Sequence, residues 1–198
     1  MSLAKEELVG AVLAGGKSSR LGVDKTSLVF KQKTFLARSV FLLKKVVSEV
    51  YVLGKSPDIC GLDGVFWLED EFEDIGPIAG IYTGLKKIAK PLLVISCDLP
   101  FLDDATLNCL KEVRDKRRTE EVMTTFVHPK TGFIESLVAI YEPESLIYLE
   151  VSIQKGIFKL SKAIPEEKRI QIPWTGDRKV FFNINYPQDL EVLGEEVY

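Results

Sequence analysis

The sequence has one histidine, His128, and three cysteines, Cys60, Cys97 and Cys109, among 198 residues. The cysteines form no CxxC pair and have no Cys/His ligand spacing, which argues against a structural zinc site. Free thiols of this kind suit a reducing cytoplasm, where disulfides are rare. An excess of positive charge is also missing. The 26 Lys and Arg against 29 Asp and Glu give a net charge of −3, which argues against nucleic acid and anionic membranes as partners. No apolar run approaches the ~20 residues of a membrane span. The N-terminus does not read as a secretory leader, because Glu6 and Glu7 follow Lys5 and the apolar stretch runs straight into Gly15-Gly16-Lys17. Repeats, low-complexity tracts and linkers are absent too, so one domain over residues 1–198 is expected.

What is present is a globular composition, 46% hydrophobic and 28% charged, in a chain long enough to bury a sizeable core. Short apolar runs alternate with amphipathic stretches. Residues 8–13 form a near-continuous apolar run, as in a strand buried on both faces. Residues 34–48 carry apolar positions at helical spacing, with Thr34 as N-cap. Residues 50–53 and 65–68 read as strands, 77–89 as a helix with Pro77 in its first turn, and 92–96 as the strongest buried strand. Asp103 or Asp104 caps a helix to about Lys116. Residues 121–127 and 133–141 read as strands joined by the hairpin-like His128-Pro129-Lys130-Thr131-Gly132. A helical stretch from Glu144, strands at 169–172 and 180–184, and a helix from Pro187 complete the chain. The pattern predicts an α/β fold: a Rossmann-like three-layer α/β/α domain, its sheet mostly parallel, with an antiparallel element in the second half.

Residues 14–33, between the first strand and the first long helix, greatly exceed the usual two to six residues of a βα loop. The segment starts Ala14-Gly15-Gly16-Lys17-Ser18-Ser19-Arg20 at the carboxyl end of a strand, where open α/β sheets bind ligands. Glycines let backbone N–H groups turn toward an anion, and Lys17, Arg20 and Lys25 supply positive charge. A solvated surface turn would have the same composition. A dinucleotide fingerprint fails, because G-x-G-x-x-G is absent. A P-loop fits poorly: Gly16-Lys17-Ser18 matches its second half, but Ala11 stands where its first glycine belongs.

Asp98 directly follows the strand at 92–96. It reads either as a turn residue before Pro100 or as a hard oxygen ligand for Mg²⁺ facing phosphates. Asp70 ends another strand and opens the acidic stretch 71–74, either as a solvated acid or as part of a ligand site. Gly80 and Gly84, one turn apart, give the helix at 77–89 a flat face for close packing. Asn183 and Asn185 are either strand-end turn residues or parts of a metal and phosphate site. As a strand pair they would point the same way.

Taken together, Leu13-Ala14-Gly15-Gly16-x-Ser18-x-Arg20-Leu21-Gly22-x-Asp24-Lys25, Gly76-Pro77-Ile78-Ala79-Gly80, Cys97-Asp98-Leu99-Pro100-Phe101 and Phe181-Phe182-Asn183-Ile184-Asn185-x-Pro187-x-Asp189-Leu190 resemble, in order, the motifs of the molybdenum cofactor guanylyltransferases (MobA). The resemblance implies a nucleotide-diphospho-sugar transferase-like fold, with a nucleotide-binding half over about 8–100 and an acceptor-binding half over about 101–198. It implies transfer of GMP from GTP to the phosphate of molybdopterin or molybdenum cofactor, with Mg²⁺ as cofactor, by a cytoplasmic monomer or weak oligomer in transient contact with other proteins of cofactor biosynthesis. Leu13, Ala14, Gly15, Gly16 and Gly80 would line the nucleotide, and Asp70 would hydrogen-bond it. Lys25 would bind phosphates, with Arg20 offsetting charge on the departing pyrophosphate. Asp98 would ligate the metal, and Asn183 and Asn185 would lie near acceptor and metal. No general base is needed, because a phosphate nucleophile is already ionised near neutral pH.

The chain departs from the family pattern at Leu53, where some members carry Asn. It also departs at Lys31-Gln32-Lys33, which lacks the usual turn glycine, and at Glu135-Ser136-Leu137, where many members have Gln-Pro-Leu or His-Pro. Two alternatives compete with guanylyl transfer to a pterin. One is a nucleotidyltransferase that uses CTP or a sugar-phosphate-type acceptor. The other is a non-catalytic nucleotide-binding regulator, against which the retention of Lys25, Asp98 and both asparagines argues.

Overall fold

A computed structural model describes residues 7–14, 24–54 and 61–196. The described residues form nine strands and five α-helices. They are β1 Val9–Leu13, β2 Val29–Phe30, β3 Lys33–Thr34, α1 Phe35–Lys44, β4 Val50–Leu53, β5 Val65–Leu68, α2 Pro77–Ile88, β6 Leu92–Ser96, α3 Asp104–Arg114, β7 Met123–Val127, β8 Ile134–Tyr141, α4 Leu146–Gln154, α5 Leu160–Ala163 and β9 Arg169–Pro173. Seven strands make one sheet in the order β5-β4-β1-β6-β8-β7-β9. β1 pairs in parallel with β4 and β6, β4 with β5, and β7 with β9. Only β8 runs against its neighbours β6 and β7, which makes it the antiparallel element expected in the second half.

The all-apolar runs of β1 and β6 are buried along their whole length, because helices cover both faces of the sheet. On one face Leu36, Val40 and Leu43 of α1 and Leu107 and Leu110 of α3 pack on Val12, Val52, Leu93 and Ile95. On the other, Ile78, Ile81 and Leu85 of α2 with Leu149 of α4 pack on Val9, Ala11, Leu92 and Val94. Helix α2 lies close to the sheet because of its small residues. A Cβ on Gly84 would meet Leu92 Cδ1 at 2.9 Å, and one on Gly80 would meet Leu13 Cδ2 at 3.0 Å.

Three expectations are corrected. Residues 180–184 are not a strand. Asp177 accepts a hydrogen bond from Lys179 N and starts a 3-10 turn, Arg178–Phe181, and the chain then crosses the sheet end with one bond, Ile184 N to Asp98 O at 3.0 Å. The amides of Val180, Phe182 and Ile184 go to the carbonyls of Asp177, Lys179 and Asp98 rather than to a neighbouring strand. The segment from Pro187 is 3-10 in character and kinks at Gly194 (φ 68°), rather than forming an α-helix. The first helix ends at Lys44, short of Ser48.

The long first loop also holds structure that periodicity could not show. Asp24 caps a 3-10 turn, Lys25–Ser27, and β2 and β3 pair as a hairpin with Phe30 opposite Lys33. Its two-residue turn, Lys31-Gln32, has φ of 52° and 63°, the left-handed pair of a type I′ turn, where glycine is usual. Gln32→Gly should therefore stabilise the protein by about 1 kcal/mol. The check is a rise in thermal midpoint, and an unchanged or lowered midpoint would contradict the reading.

Candidate active site

Three of the polar groups singled out in the sequence, Lys25, Asp98 and Asn185, meet at the carboxyl ends of β1 and β6, which are adjacent. A third apolar cluster brings them together. Phe30, Phe35, Ile184 and Leu193 are buried, with Leu28, Phe101, Phe182 and Leu190 packed around them. These residues come from the hairpin after Lys25, the segment after Asp98 and the segment carrying the asparagines. Each large apolar side chain buried here contributes roughly 1.5–3 kcal/mol, more than any exposed polar contact of the site.

Over this cluster Lys25 Nζ donates to Asp98 Oδ2 at 2.9 Å and to Asn185 Oδ1 at 2.8 Å. Asp24 aims the lysine by accepting from Thr26 N at 2.9 Å and Thr26 Oγ1 at 2.8 Å. Asp98 is nearly buried and its second oxygen accepts from Ser96 Oγ at 2.6 Å. It caps no helix, since Asp103 is the residue that accepts from Thr106 N and starts α3. Asn185 is fixed through its backbone: Asp189 Oδ2 accepts from Asn185 N at 2.7 Å and Tyr186 N at 2.8 Å. Asn183 lies two residues away, half-buried, outside this network.

Two hard oxygens, from Asp98 and Asn185, thus converge on one ammonium. A divalent cation at that point could take both and fill its shell from phosphate oxygens and water, the ligand balance Mg²⁺ prefers. Among the described residues no group of three or more His, Cys, Asp or Glu could hold a metal ion, so a cation held here would depend on its ligand's own oxygens. Cys97 offers no nucleophile: burial, reinforced by the Asp98 carboxylate, pushes its thiol up to about 12. His128 is a turn residue, its Nδ1 accepting from Thr131 N at 3.1 Å in the β7–β8 connection.

Asp70 lies on the other flank, against α2. Its Oδ1 would be 3.2 Å from a Cβ on Gly80, and that oxygen is buried without a hydrogen-bond partner among the described residues. Burial, then the neighbouring Glu69 charge, raises its pKa to about 6, with Lys87 pulling the other way. Leu13 is buried beside Gly80, and Ala14 N donates to Leu53 O at 2.9 Å. Leu53 is a core residue whose side chain lies under Gly80 and Gly84, so that side chain carries no polar contact. Gly15, Gly16 and Arg20 lie outside the described residues.

Residues 10–162 match the MobA-like NTP transferase domain. A relative from Pyrococcus horikoshii named probable molybdenum cofactor guanylyltransferase is 30% identical, over 94% of this chain and 99% of its own. One of the same name from Aquifex aeolicus is 30% identical, over 91% of this chain and 87% of its own. The chain belongs to the MobA-like NTP transferase family. The fold agrees: molybdopterin-guanine dinucleotide biosynthesis protein A from Archaeoglobus fulgidus superposes with a TM-score of 0.77 at 24% identity, covering 94% of this chain and 97% of that one. A cytidylyltransferase from Leptospira borgpetersenii also superposes, with a TM-score of 0.67 at 19% identity, covering 96% and 84%, so the fold by itself does not choose the base.

Sequence reading overlooked Ser96 and the backbone role of Asp189. The signal for Ser96 was available, because residues two apart on a strand share a face and Ser96 precedes Asp98 by two. For Asp189 the signal was its fixed place in the Asn-x-Pro-x-Asp motif.

The Asp70 environment sets a pH dependence. A carboxyl with a folded pKa near 6 against 3.8 unfolded stays protonated in the fold between those values, so its ionisation costs stability as pH rises from about 4 to about 6. Asp70→Asn removes that cost. With solvent screening discounted, the variant should be about 1 kcal/mol more stable at pH 7.5 and equal to the parent near pH 3.5. Denaturant titrations at both pH values check this, and a variant less stable at pH 7.5 would contradict it.

Proposed function

We propose that the chain transfers GMP from GTP to the terminal phosphate of molybdopterin, or of its molybdenum-bearing form, and releases pyrophosphate in an Mg²⁺-dependent reaction. The observation that carries this reading is Lys25 joined to Asp98 and Asn185 at the carboxyl ends of β1 and β6. That arrangement lies within a chain whose curated relatives are named for guanylyl transfer over nearly their whole length.

The bond changes are simple. A phosphate oxygen of the acceptor forms a bond to the α-phosphorus of GTP. The bond from that phosphorus to the bridging oxygen of pyrophosphate breaks, and pyrophosphate leaves with the electron pair. No proton has to move, which suits a site whose histidine is elsewhere and whose nearest cysteine is a buried thiol. The protein's work is alignment and charge neutralisation. Asp98 and Asn185 would hold the metal, which when bound supplies positive charge to the phosphate oxygens. Lys25 meets the triphosphate, Ser96 keeps the Asp98 carboxylate in one orientation, and Asp24 keeps Lys25 at the mouth of the site. Leu13, Ala14 and Gly80 form the close-packed surface on which the base and ribose lie, with the unpartnered oxygen of Asp70 facing them as an acceptor. Arg20 offsets charge on the departing pyrophosphate.

Incubation of the protein with GTP, Mg²⁺ and molybdopterin, followed by mass detection, should yield the guanine dinucleotide, and a parallel panel of CTP and ATP should yield little. Product formed from CTP in preference would transfer the reading to a cytidylyl donor. Asp98→Ala should lower turnover by about 10³-fold or more with the fold retained. Lys25→Ala should weaken GTP binding by about tenfold in calorimetry. Near-normal turnover of the first variant, or unchanged affinity of the second, would count against the assignment.

A further inference from the structure

Helix α1 carries an arginine that the transfer chemistry leaves unused, and its guanidinium touches two of the three segments that build the site. Thr34 Oγ1 accepts from Ala37 N at 3.1 Å and fixes where the helix starts. Arg38 then lies one turn along, three residues after the buried Phe35 and beside it on the helix surface. Its Nη2 donates to Pro100 O at 3.1 Å, and its guanidinium carbon lies 4.7 Å from the centre of the Phe30 ring. Pro100 is two residues beyond Asp98. Phe30 belongs to the hairpin that follows the turn carrying Lys25. Phe30 and Phe101 meet edge to face with centroids 6.3 Å apart, and Phe101 lies 6.5 Å from Phe182, just ahead of the asparagines.

The position is unfavourable for a cation. Arg38 is half-buried, its Nε is buried without a hydrogen-bond partner among the described residues, and burial lowers the pKa of its guanidinium. A buried donor left unmet costs stability, which an apolar side chain packed on Phe30 would avoid. What an apolar side chain cannot do is present a face to a ring while donating in its own plane. A guanidinium does both, and lysine, a point charge without a plane, does not. The apolar packing of Phe30 against Phe101 draws the two segments together but is non-directional. Arg38 adds a contact of defined length and angle between them.

We propose that Arg38 is a positioning residue of the site: through Pro100 O and the Phe30 ring it sets the distance between the Asp98 carboxylate and the Lys25 ammonium. This rests on Asp98 and Lys25 serving as the metal and phosphate groups of the transfer described above.

The guanidinium borders a cavity of about 290 Å³ between α1, β6 and residues 99–104, so a small cation can reach its place once the side chain is removed. Arg38→Ala should lower kcat by about 10–100-fold, with the KM for GTP changed by less than about threefold. Methylguanidinium at millimolar concentration should restore turnover saturably, and methylammonium at the same ionic strength should not. Arg38→Lys keeps the charge and the stem, so it should melt close to the parent yet turn over no faster than Arg38→Ala. Parental kcat in Arg38→Lys, or a loss in Arg38→Ala that tracks only the folded fraction and is not rescued by methylguanidinium, would overturn the proposal. A ligand-free crystal structure of Arg38→Lys should show Lys25 Nζ and Asp98 Oδ2 beyond hydrogen-bond distance. An unchanged 2.9 Å contact would overturn the proposal whether or not any dinucleotide forms. That contact broken in the variant, with no guanine dinucleotide made by the parent, would uphold the positioning role and defeat the transfer reading, so the two fail separately.

Discussion

One ammonium group joins the three parts of the site. Lys25 Nζ lies between Asp98 and Asn185, residues 73 and 160 positions away in sequence. Without that cation, a nearly buried carboxylate and an amide oxygen would face each other with nothing between them, and both would lose free energy to desolvation. The apolar cluster of Phe30, Phe35, Ile184 and Leu193, with Phe101 packed against it, offsets that cost because it ties the three segments together. The site is therefore held from below by burial and closed from above by charge. A bound divalent cation would supply positive charge to the same two oxygens in place of the ammonium.

The sheet also divides the labour. Helix α2 approaches closely through Gly80 and Gly84 and offers Asp70 on one flank of Asp98. Burial keeps the Asp70 carboxyl above the ordinary carboxylate range, and its buried Oδ1 lacks a donor among the described residues. Stability is lost at such positions in return for unsatisfied acceptors, a pattern expected where ligands bind. Asp98 is satisfied by Ser96 and Lys25.

Much of this was legible in the sequence, for definite reasons. β1 and β6 are read correctly because strands buried on both faces are apolar throughout, and α2 and α3 because proline and aspartate mark their first turns. Asp98 and Lys25 stand out because they end a strand and follow a glycine-rich loop. Residues 180–184 misled because Val180, Phe181, Phe182 and Ile184 have the composition of a strand, yet the turn carbonyls of Asp177 and Lys179 and the carbonyl of Asp98 take the amides a neighbouring strand would need. The hairpin inside the first loop was hidden because its turn, Lys31-Gln32, lacks the glycine that announces a type I′ turn. The partnership of Asn185 with Lys25 could not be read from spacing at all, since it depends on an apolar cluster drawn from three distant segments.

The central claim is that the Lys25 ammonium holds the place a metal and triphosphate take. A crystal structure with Mg²⁺ and a non-hydrolysable GTP analogue tests it most directly. The account predicts Lys25 Nζ on phosphate oxygens, with the cation held by Asp98 and Asn185 at the point the ammonium had occupied. Lys25 still 2.9 Å from Asp98, with the analogue bound elsewhere on the sheet, would contradict it.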